Sequence, residues 1–273
     1  MRSRAEPWLV NGALVVLVLA TLFPLAWMIS VSVMAPGEAS TSPPPLVPAS
    51  PDLAAFRELF HRGTIARNVA NSVGLALAAT VLSLAFNVTA GYAFAKLRFA
   101  GRDLVWKLLL GVMLIPGQVA MIPLFLMLKQ VGLVNSYVGV LIPGLANVFG
   151  IFLVRQYALS IPDELLEAAR IDGAGEWRIF WSVVLPVLRP ILVTLAIFAF
   201  LASWNDFLWP LIVLADDSRQ TLPVAIAALS REHAGDNELM MAGAVVTILP
   251  VLAVVLALQR YYIQGLLSGS VKG

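Results

Sequence analysis

The sequence predicts an all-α integral membrane protein with six transmembrane helices. Of its 273 residues, 60% are hydrophobic and 12% are charged, against about 25% charged in a typical soluble domain. Six windows contain no charged residue, and a helix needs about 20 apolar residues to cross a bilayer. They are Pro7–Gly37, Asn68–Ala95, Leu108–Leu128, Gln130–Val154, Pro190–Asn205 and Leu239–Gln259. The fifth is interrupted by Asp206 and then continues to Ala215.

The connections between these windows predict the orientation of the chain. Lys129–Ser136 is short enough to form a tight turn between the third and fourth helices. If the N-terminus is cytoplasmic, 12 of the 18 Lys and Arg fall on the inner side, so the positive-inside rule predicts cytoplasmic N- and C-termini. The first apolar run is longer than a signal-peptide core of about 7–15 residues, which favours a retained helix over a cleaved signal.

Two long loops lie on the predicted outer side. Met34–Arg67 contains TSPPPLVPASP, and so many prolines predict an extended segment. Asp216–Glu238 is mixed polar and apolar, and its stretch TLPVAIAAL predicts a short helix outside the membrane. A loop of this length is often functional, and a plain connector is the alternative.

The inner loop Ser160–Pro190 carries an unusual charged helix between two apolar segments. Ser160 and Asp163 resemble a capping box at its start. Gly173 and Gly175 predict its end, because glycine readily takes the left-handed conformation that terminates helices.

One face of this helix is predicted to carry mainly small residues. Residues three or four apart share a helix face, and those on the predicted face are Leu165, Ala168, Ala169 and Asp172. Alanines permit close approach of a partner surface, and Glu167 offers a charge for a directed pair. The alternative is an amphipathic helix lying in the lipid headgroups, but such a helix has a broad apolar face and a lysine-rich polar face.

The loop also resembles a known family. Glu167-Ala168-Ala169, followed by Gly173 and Val183-x-Leu185-Pro186, resembles the EAA signature of ABC importer membrane subunits, with valine where isoleucine is usual. Four further segments are similar to the carbohydrate-uptake branch with the maltose-type second permease. They are NSVGLALAATVLSLAFNVTAGYAFAKLRFAG, MLIPGQVAMIPLF, SWNDFLWPLIVL and QRYYIQGLLSGSVKG.

The resemblance implies a type I ABC importer transmembrane fold with a cytoplasmic coupling helix in the inner membrane. The core would span 68–262, after a transmembrane helix and proline-rich periplasmic segment in 1–67 and before a cytoplasmic tail in 263–273. The implied function is import of a sugar or oligosaccharide, driven by ATP and dependent on a binding protein. The implied partners are an ABC ATPase subunit dimer, a second and different permease chain, and an extracytoplasmic solute-binding protein.

The resemblance also implies roles for the loop residues. The ATPase-docking residues would be Leu165, Glu167, Ala168, Ala169, Asp172 and Gly173. Glu167 would pair with a basic residue of the ATPase, while Ala168 and Gly173 would keep the contact close.

Several functions are excluded or left as alternatives. No G-x-x-x-x-G-K-[ST] stretch occurs, so we expect no enzyme activity in this chain and assign ATP and Mg to the partner ATPase. With no cysteine, two separated histidines and a net charge of +2, neither a metal site nor nucleic-acid binding is expected. The alternatives are an importer of a polyol or glycerol phosphate, an ion-coupled secondary transporter using Asp206, and a membrane-anchored assembly protein.

Polar residues inside the apolar windows are candidates for the transport pathway. Asp206 follows Trp204 and Asn205, and a carboxylate in hydrocarbon is costly enough that it should face protein or water. It could contact sugar, act in gating or join helices. Asn87 and Asn147 predict hydrogen bonds between helices. Three prolines predict kinks or breaks, namely Pro116, Pro123 and Pro143.

Overall fold

A computed structural model describes residues 6–61, 64–233 and 235–268. These ranges contain helices joined by loops, and no strand. The α-helices are α1 (Glu6–Ser32), α2 (Ala54–His61), α3 (Ile65–Lys96), α4 (Arg102–Val112), α5 (Met121–Gln130), α6 (Tyr137–Leu141), α7 (Val148–Ala158), α8 (Asp163–Ile171), α9 (Glu176–Ile179), α10 (Leu185–Val187), α11 (Arg189–Trp204), α12 (Leu208–Val213), α13 (Leu222–Glu232) and α14 (Asn237–Ser268). Shorter turns are the 3₁₀ segments Glu38–Ser40, Gly117–Ala120 and Ile142–Gly144, and the π turn Phe180–Val184.

Three of the described helices are long and apolar enough to cross a membrane, within α1, α3 and α14. Three further pairs qualify only if each bent pair counts as one span. The bends are 97° between α4 and α5, 44° between α6 and α7, and 80° where the segment Glu176–Val187 meets α11. The all-helical membrane class is confirmed, and the number of six spans stays a prediction.

Two of the three predicted prolines coincide with breaks. Pro116 follows α4 and precedes a 3₁₀ segment, and Pro143 lies inside Ile142–Gly144. Pro123, by contrast, lies in the first turn of α5. The first backbone N–H groups of a helix have no partner within it, so a proline there breaks nothing, and that prediction was wrong.

The connection between α5 and α6 is the tight turn that the sequence predicts. Gly132 and Asn135 both have positive φ, at 70° and 58°. Ser136 then caps α6 by accepting a hydrogen bond from the N–H of Gly139 at 3.0 Å. The turn therefore reverses the chain in few residues.

Internal contacts divide the chain into two units. The first falls within Met1–Ala66 and Leu222–Pro250, and the second within Arg67–Thr221 and Val251–Gly273.

Carboxylates hold the loop that follows α1 in the first unit. Glu38 accepts hydrogen bonds from the N–H groups of Ala35 and Ala49 at 3.0 and 2.7 Å. The buried Glu238 accepts one from the N–H of Ala39 at 2.8 Å. The proline stretch from Thr41 to Pro51 contains no helix, and α2 follows it at Ala54 and buries Leu59. The short helix predicted in TLPVAIAAL is present as α13.

Helix α3 of the second unit contacts loops at both of its ends. Near its start, Asn68 donates to the carbonyls of Asp217 and Gln220 at 3.1 and 2.8 Å. At its last residue, Lys96 contacts the segment that leads into α8. A helix of 32 residues is about 48 Å long, so these two sets of loops lie at opposite ends of α3.

Close packing of α3 against α7 depends on a glycine. A Cβ atom at Gly91 would lie 2.7 Å from the side chain of Val154, whereas one at Gly74 would meet nothing within 4 Å. The space at Gly91 is therefore filled by the neighbouring helix.

We expect Gly91→Ala to destabilise the protein by about 1–3 kcal/mol, the usual cost of overpacking a core. Gly74→Ala is the matched control in the same helix and should not lower stability, because alanine has the higher helix propensity. Thermal unfolding in detergent, followed by tryptophan fluorescence, measures both. Equal unfolding midpoints for the two variants would contradict the close approach.

Candidate functional site

The loop between α7 and α11 is anchored at its start by a lysine. The Nζ of Lys96 donates to the carbonyl of Ile161 and to Oδ1 of Asp163, both at 2.6 Å. The hydrogen bond from Lys96, together with its charge, holds the pKa of Asp163 below its usual value. The predicted capping box is wrong: Ser160 donates to the carbonyl of Tyr157, and Pro162 caps α8 without a side-chain bond.

The end of α8 depends on a left-handed glycine, as predicted. Gly173 has φ of 82°, its N–H bonds to the carbonyl of Arg170, and that of Ala174 bonds to the carbonyl of Ala169. This is the usual pattern of a glycine helix stop. Gly175 has φ of −71° and precedes α9, so it begins the next helix and does not end α8.

An ion pair closes the turn between α8 and α9. Nε of Arg170 lies 2.8 Å from Oε1 of Glu176, and this bond raises the pKa of the guanidinium. The hydroxyl of Tyr92 lies 3.4 Å from the other oxygen of Glu176. The turn is therefore tied to α3 as well as to α8.

One face of α8 is buried against residues of α3, α7 and α11. Leu166 is only 2% exposed and belongs to one apolar cluster with residues of α3, α7 and α11. We call this set the loop cluster. Its buried members are Val88, Tyr92, Val154, Ala158, Ile161, Leu166, Ile179, Phe180, Val184, Leu188, Ile191 and Leu195. Ala169 packs against it and is half-buried, so it is the least exposed of the six residues predicted for docking.

The opposite face of α8, which we call the open face, is exposed. The other five residues predicted for docking are all exposed: Leu165, Glu167, Ala168, Asp172 and Gly173. Ile171 is 87% exposed and was missed, although it lies three and four residues after Ala168 and Glu167. Trp177 is also exposed, at 71%. The open face therefore combines large apolar side chains with the carboxylate of Glu167.

Residues near the end of α11 have separate surroundings. Trp204 is fully buried and stacks on Phe200 with 6.0 Å between ring centroids. Asn205 donates to the carbonyl of Leu201 in its own helix. Asp206 lies between α11 and α12, where its Oδ1 accepts a hydrogen bond from the N–H of Trp209 at 3.4 Å. The fifth apolar window is therefore divided between two helices at the carboxylate that interrupts it in the sequence.

The two asparagines do not make the predicted bonds between helices. Asn87 donates to Oγ of Ser83 in the same helix at 2.6 Å, and its amide packs against Gly150, which has no side chain. Asn147 caps α7 by accepting from the N–H groups of Phe149 and Gly150. In both cases a partner nearby in the sequence takes one atom of the amide, while the buried Oδ1 of Asn87 has no hydrogen-bond partner.

No metal site emerges in the ranges that the structure describes. No group of three His, Asp or Glu side chains in those ranges could hold an ion.

Comparison with known proteins identifies the family. The pattern of the binding-protein-dependent transport system inner membrane component family matches residues 87–268. The chain belongs to this family. The family resemblance inferred from the EAA signature is thereby confirmed, and the match includes the loop of α8 and α9.

Relatives of this inner membrane component are permease proteins. The arabinooligosaccharides transport system permease protein AraQ of Halalkalibacterium halodurans is 42% identical over 74% of this chain and 73% of its own length. The sn-glycerol-3-phosphate transport system permease protein UgpE of Yersinia pestis is 31% identical over 93% and 94%. A crystal structure of a bacterial ABC transporter involved in the import of the acidic polysaccharide alginate matches with a TM-score of 0.85 and 27% identity, covering 96% of this chain and 99% of that chain. The inner membrane component thus has the fold of an ABC importer permease.

The left-handed turn after α8 gives a test of how firmly the open face is held. We expect Gly173→Ala to cost about 1–2 kcal/mol, because a Cβ atom is strained at φ of 82°. Gly175→Ala is the matched control, since its φ is ordinary and no atom lies within 4 Å of the added Cβ. Thermal unfolding compares them, and a Gly173→Ala midpoint no lower than the control's would be inconsistent with the described turn.

Proposed function

We propose that this chain is the membrane-spanning subunit of an ATP-driven importer for a sugar or oligosaccharide, and that α8 receives the motion of a separate ATPase. The observation that carries the proposal is the asymmetry of α8. One face is fixed to the membrane helices through Leu166, while the opposite face exposes Leu165, Glu167 and Ile171. Apolar groups beside one directed charge suit a protein partner.

The fixed face makes α8 a means of transmitting force. Leu166 shares the loop cluster with Val88 of α3, Val154 of α7 and Leu195 of α11. Closely packed side chains deform little, so displacement of α8 moves the ends of these helices together. ATP-dependent closure of the ATPase dimer would in this way switch the pathway between inward- and outward-facing states.

The relatives favour a sugar as the solute. AraQ is a permease protein for arabinooligosaccharides, and the structural match takes part in alginate import. UgpE, named for sn-glycerol 3-phosphate, is less identical but matches more of the chain. A glycerol phosphate or polyol importer is therefore the second candidate. An ion-coupled mechanism through Asp206 is the alternative from another class, and it predicts uptake without an ATPase.

The proposed complex contains an ATPase dimer, a second and different permease, and an extracytoplasmic solute-binding protein. ATP and Mg belong to the ATPase, because this sequence has no phosphate-binding loop. The two outer loops are the proposed contacts of the binding protein. We place both chain termini in the cytoplasm, on the side of α8, as the positive-inside rule indicates.

Purification of the tagged chain from native membranes in mild detergent tests the complex. Mass spectrometry should identify an ATPase and a second permease in fixed stoichiometry. If the chain purifies alone in several detergents, or if solute uptake collapses with an uncoupler and needs no ATP, the proposal fails.

Glu167→Lys should reduce ATP-driven uptake by about tenfold or more, because it reverses the charge offered to the ATPase. Ile171→Asp should do the same by placing a charge in an apolar contact. Asp103→Lys is the control, with the same charge change at an exposed position in the first turn of α4. Uptake and copurification of the ATPase are measured for all three variants. Wild-type uptake by Glu167→Lys with normal assembly would disprove the coupling role.

A further inference from the structure

A cavity of about 250 Å³ lies within the second unit, bordered by α3, α6, α7, α11 and the break after α11. Residues from three successive turns of α3 form one wall, from Leu75 to Ser83, which is about 12 Å of helix. The volume is close to the lower end of the range for small-molecule sites, about 300 Å³. The cavity can therefore receive a part of an oligosaccharide, such as one ring.

Two polar side chains on the cavity wall make few hydrogen bonds within the protein. Thr221 is 3% exposed, yet its hydroxyl has no hydrogen-bond partner. The half-buried Asp206 has one long bond, at 3.4 Å from the N–H of Trp209. Leaving a buried polar group without a partner destabilises the folded protein. Such groups beside a cavity point to a ligand that supplies the missing bonds.

The remaining wall suits a ring that carries hydroxyl groups. Ser203 and Asn147 add a hydroxyl and an amide. Phe149 and Phe198 also line the cavity, with ring centroids 6.2 Å apart and planes at 53°. Aromatic rings give an apolar surface for the C–H faces of a sugar, while the polar groups bind its hydroxyls. Few, well-placed polar groups in an otherwise apolar wall are typical of small-molecule sites.

The single acidic side chain of the cavity wall favours neutral solutes over anionic ones. Among the residues lining the cavity, Asp206 is the only one with an ionisable side chain, and no Lys, Arg or His is present. A phosphate or uronate would meet this acid without a compensating cation, and like charges repel strongly where water is scarce.

We propose that this cavity is a solute-binding subsite of the importer, specific for a neutral, hydroxyl-rich ring, with Asp206 and Thr221 binding its hydroxyls. The inference rests on the proposed function and adds the solute class and the groups that contact it. It separates this chain from UgpE and from the alginate transporter, whose named solutes are anionic.

The test uses the purified complex with its binding protein in proteoliposomes loaded with ATP. The probes are radiolabelled arabinotriose and sn-glycerol 3-phosphate. We expect uptake of arabinotriose by the wild type, and a loss of about tenfold in its maximal rate for Asp206→Asn and for Thr221→Val. Matched controls are Asp103→Asn, which is exposed in α4, and Thr89→Val, whose hydroxyl bonds within α3. Both should transport like the wild type.

Stability separates a binding role from a structural one. Thr221→Val is isosteric and removes an unpaired hydroxyl, so its unfolding midpoint should equal or exceed that of the wild type. A lower midpoint together with lost uptake would show a structural role and overturn the assignment. Unchanged uptake in both cavity variants would overturn it as well.

The two proposals can fail separately. ATP-driven uptake of sn-glycerol 3-phosphate without uptake of arabinotriose would overturn the neutral subsite and leave the importer intact. The absence of an ATPase from the purified complex would instead remove the importer proposal, and the subsite with it.

Discussion

The ammonium group of Lys96 determines where α8 can lie. Its side chain is only 6% exposed, and a buried cation is destabilising unless acceptors surround it. Its two acceptors are the carboxylate of Asp163, the first residue of α8, and the carbonyl of Ile161, two residues before it. Displacing α8 from α3 would leave this charge unpaired. These bonds therefore attach the start of α8 to the end of α3.

The loop cluster adds stiffness to this electrostatic attachment. Phe180 contacts Tyr92 with 5.4 Å between ring centroids, and Gly91, one residue earlier in α3, lets α7 approach closely. Hydrogen bonds fix the direction of α8, whereas apolar packing resists its compression. The exposed face contributes to neither, which leaves its residues available to a partner.

Sequence patterns predicted the elements better than their internal breaks. Hydropathy located every apolar window, but it does not distinguish a straight span from two helices meeting at 97° or 80°. The end of α8 was predictable because glycine at positive φ is a local requirement. The partial burial of Ala169 was not predictable, since alanine suits both a buried and an exposed face and the position of Leu166 in the loop cluster decides between them. Asn147 was misplaced because a helix start inside an apolar window leaves no trace in hydropathy.

The break between α4 and α5 combines a highly exposed apolar surface with a paired backbone. Leu114 in the break is 86% exposed and Ile122 in the first turn of α5 is 74% exposed, although residues 113–116 are not helical. The N–H groups of Met113, Leu114 and Ile115 bond to the carbonyls of Leu110, Gly111 and Val112. Hydrocarbon offers no partner to backbone groups, so a bend that pairs its own donors is the kind that a membrane segment can carry. The bend can therefore present these apolar side chains to lipid without exposing unpaired N–H groups.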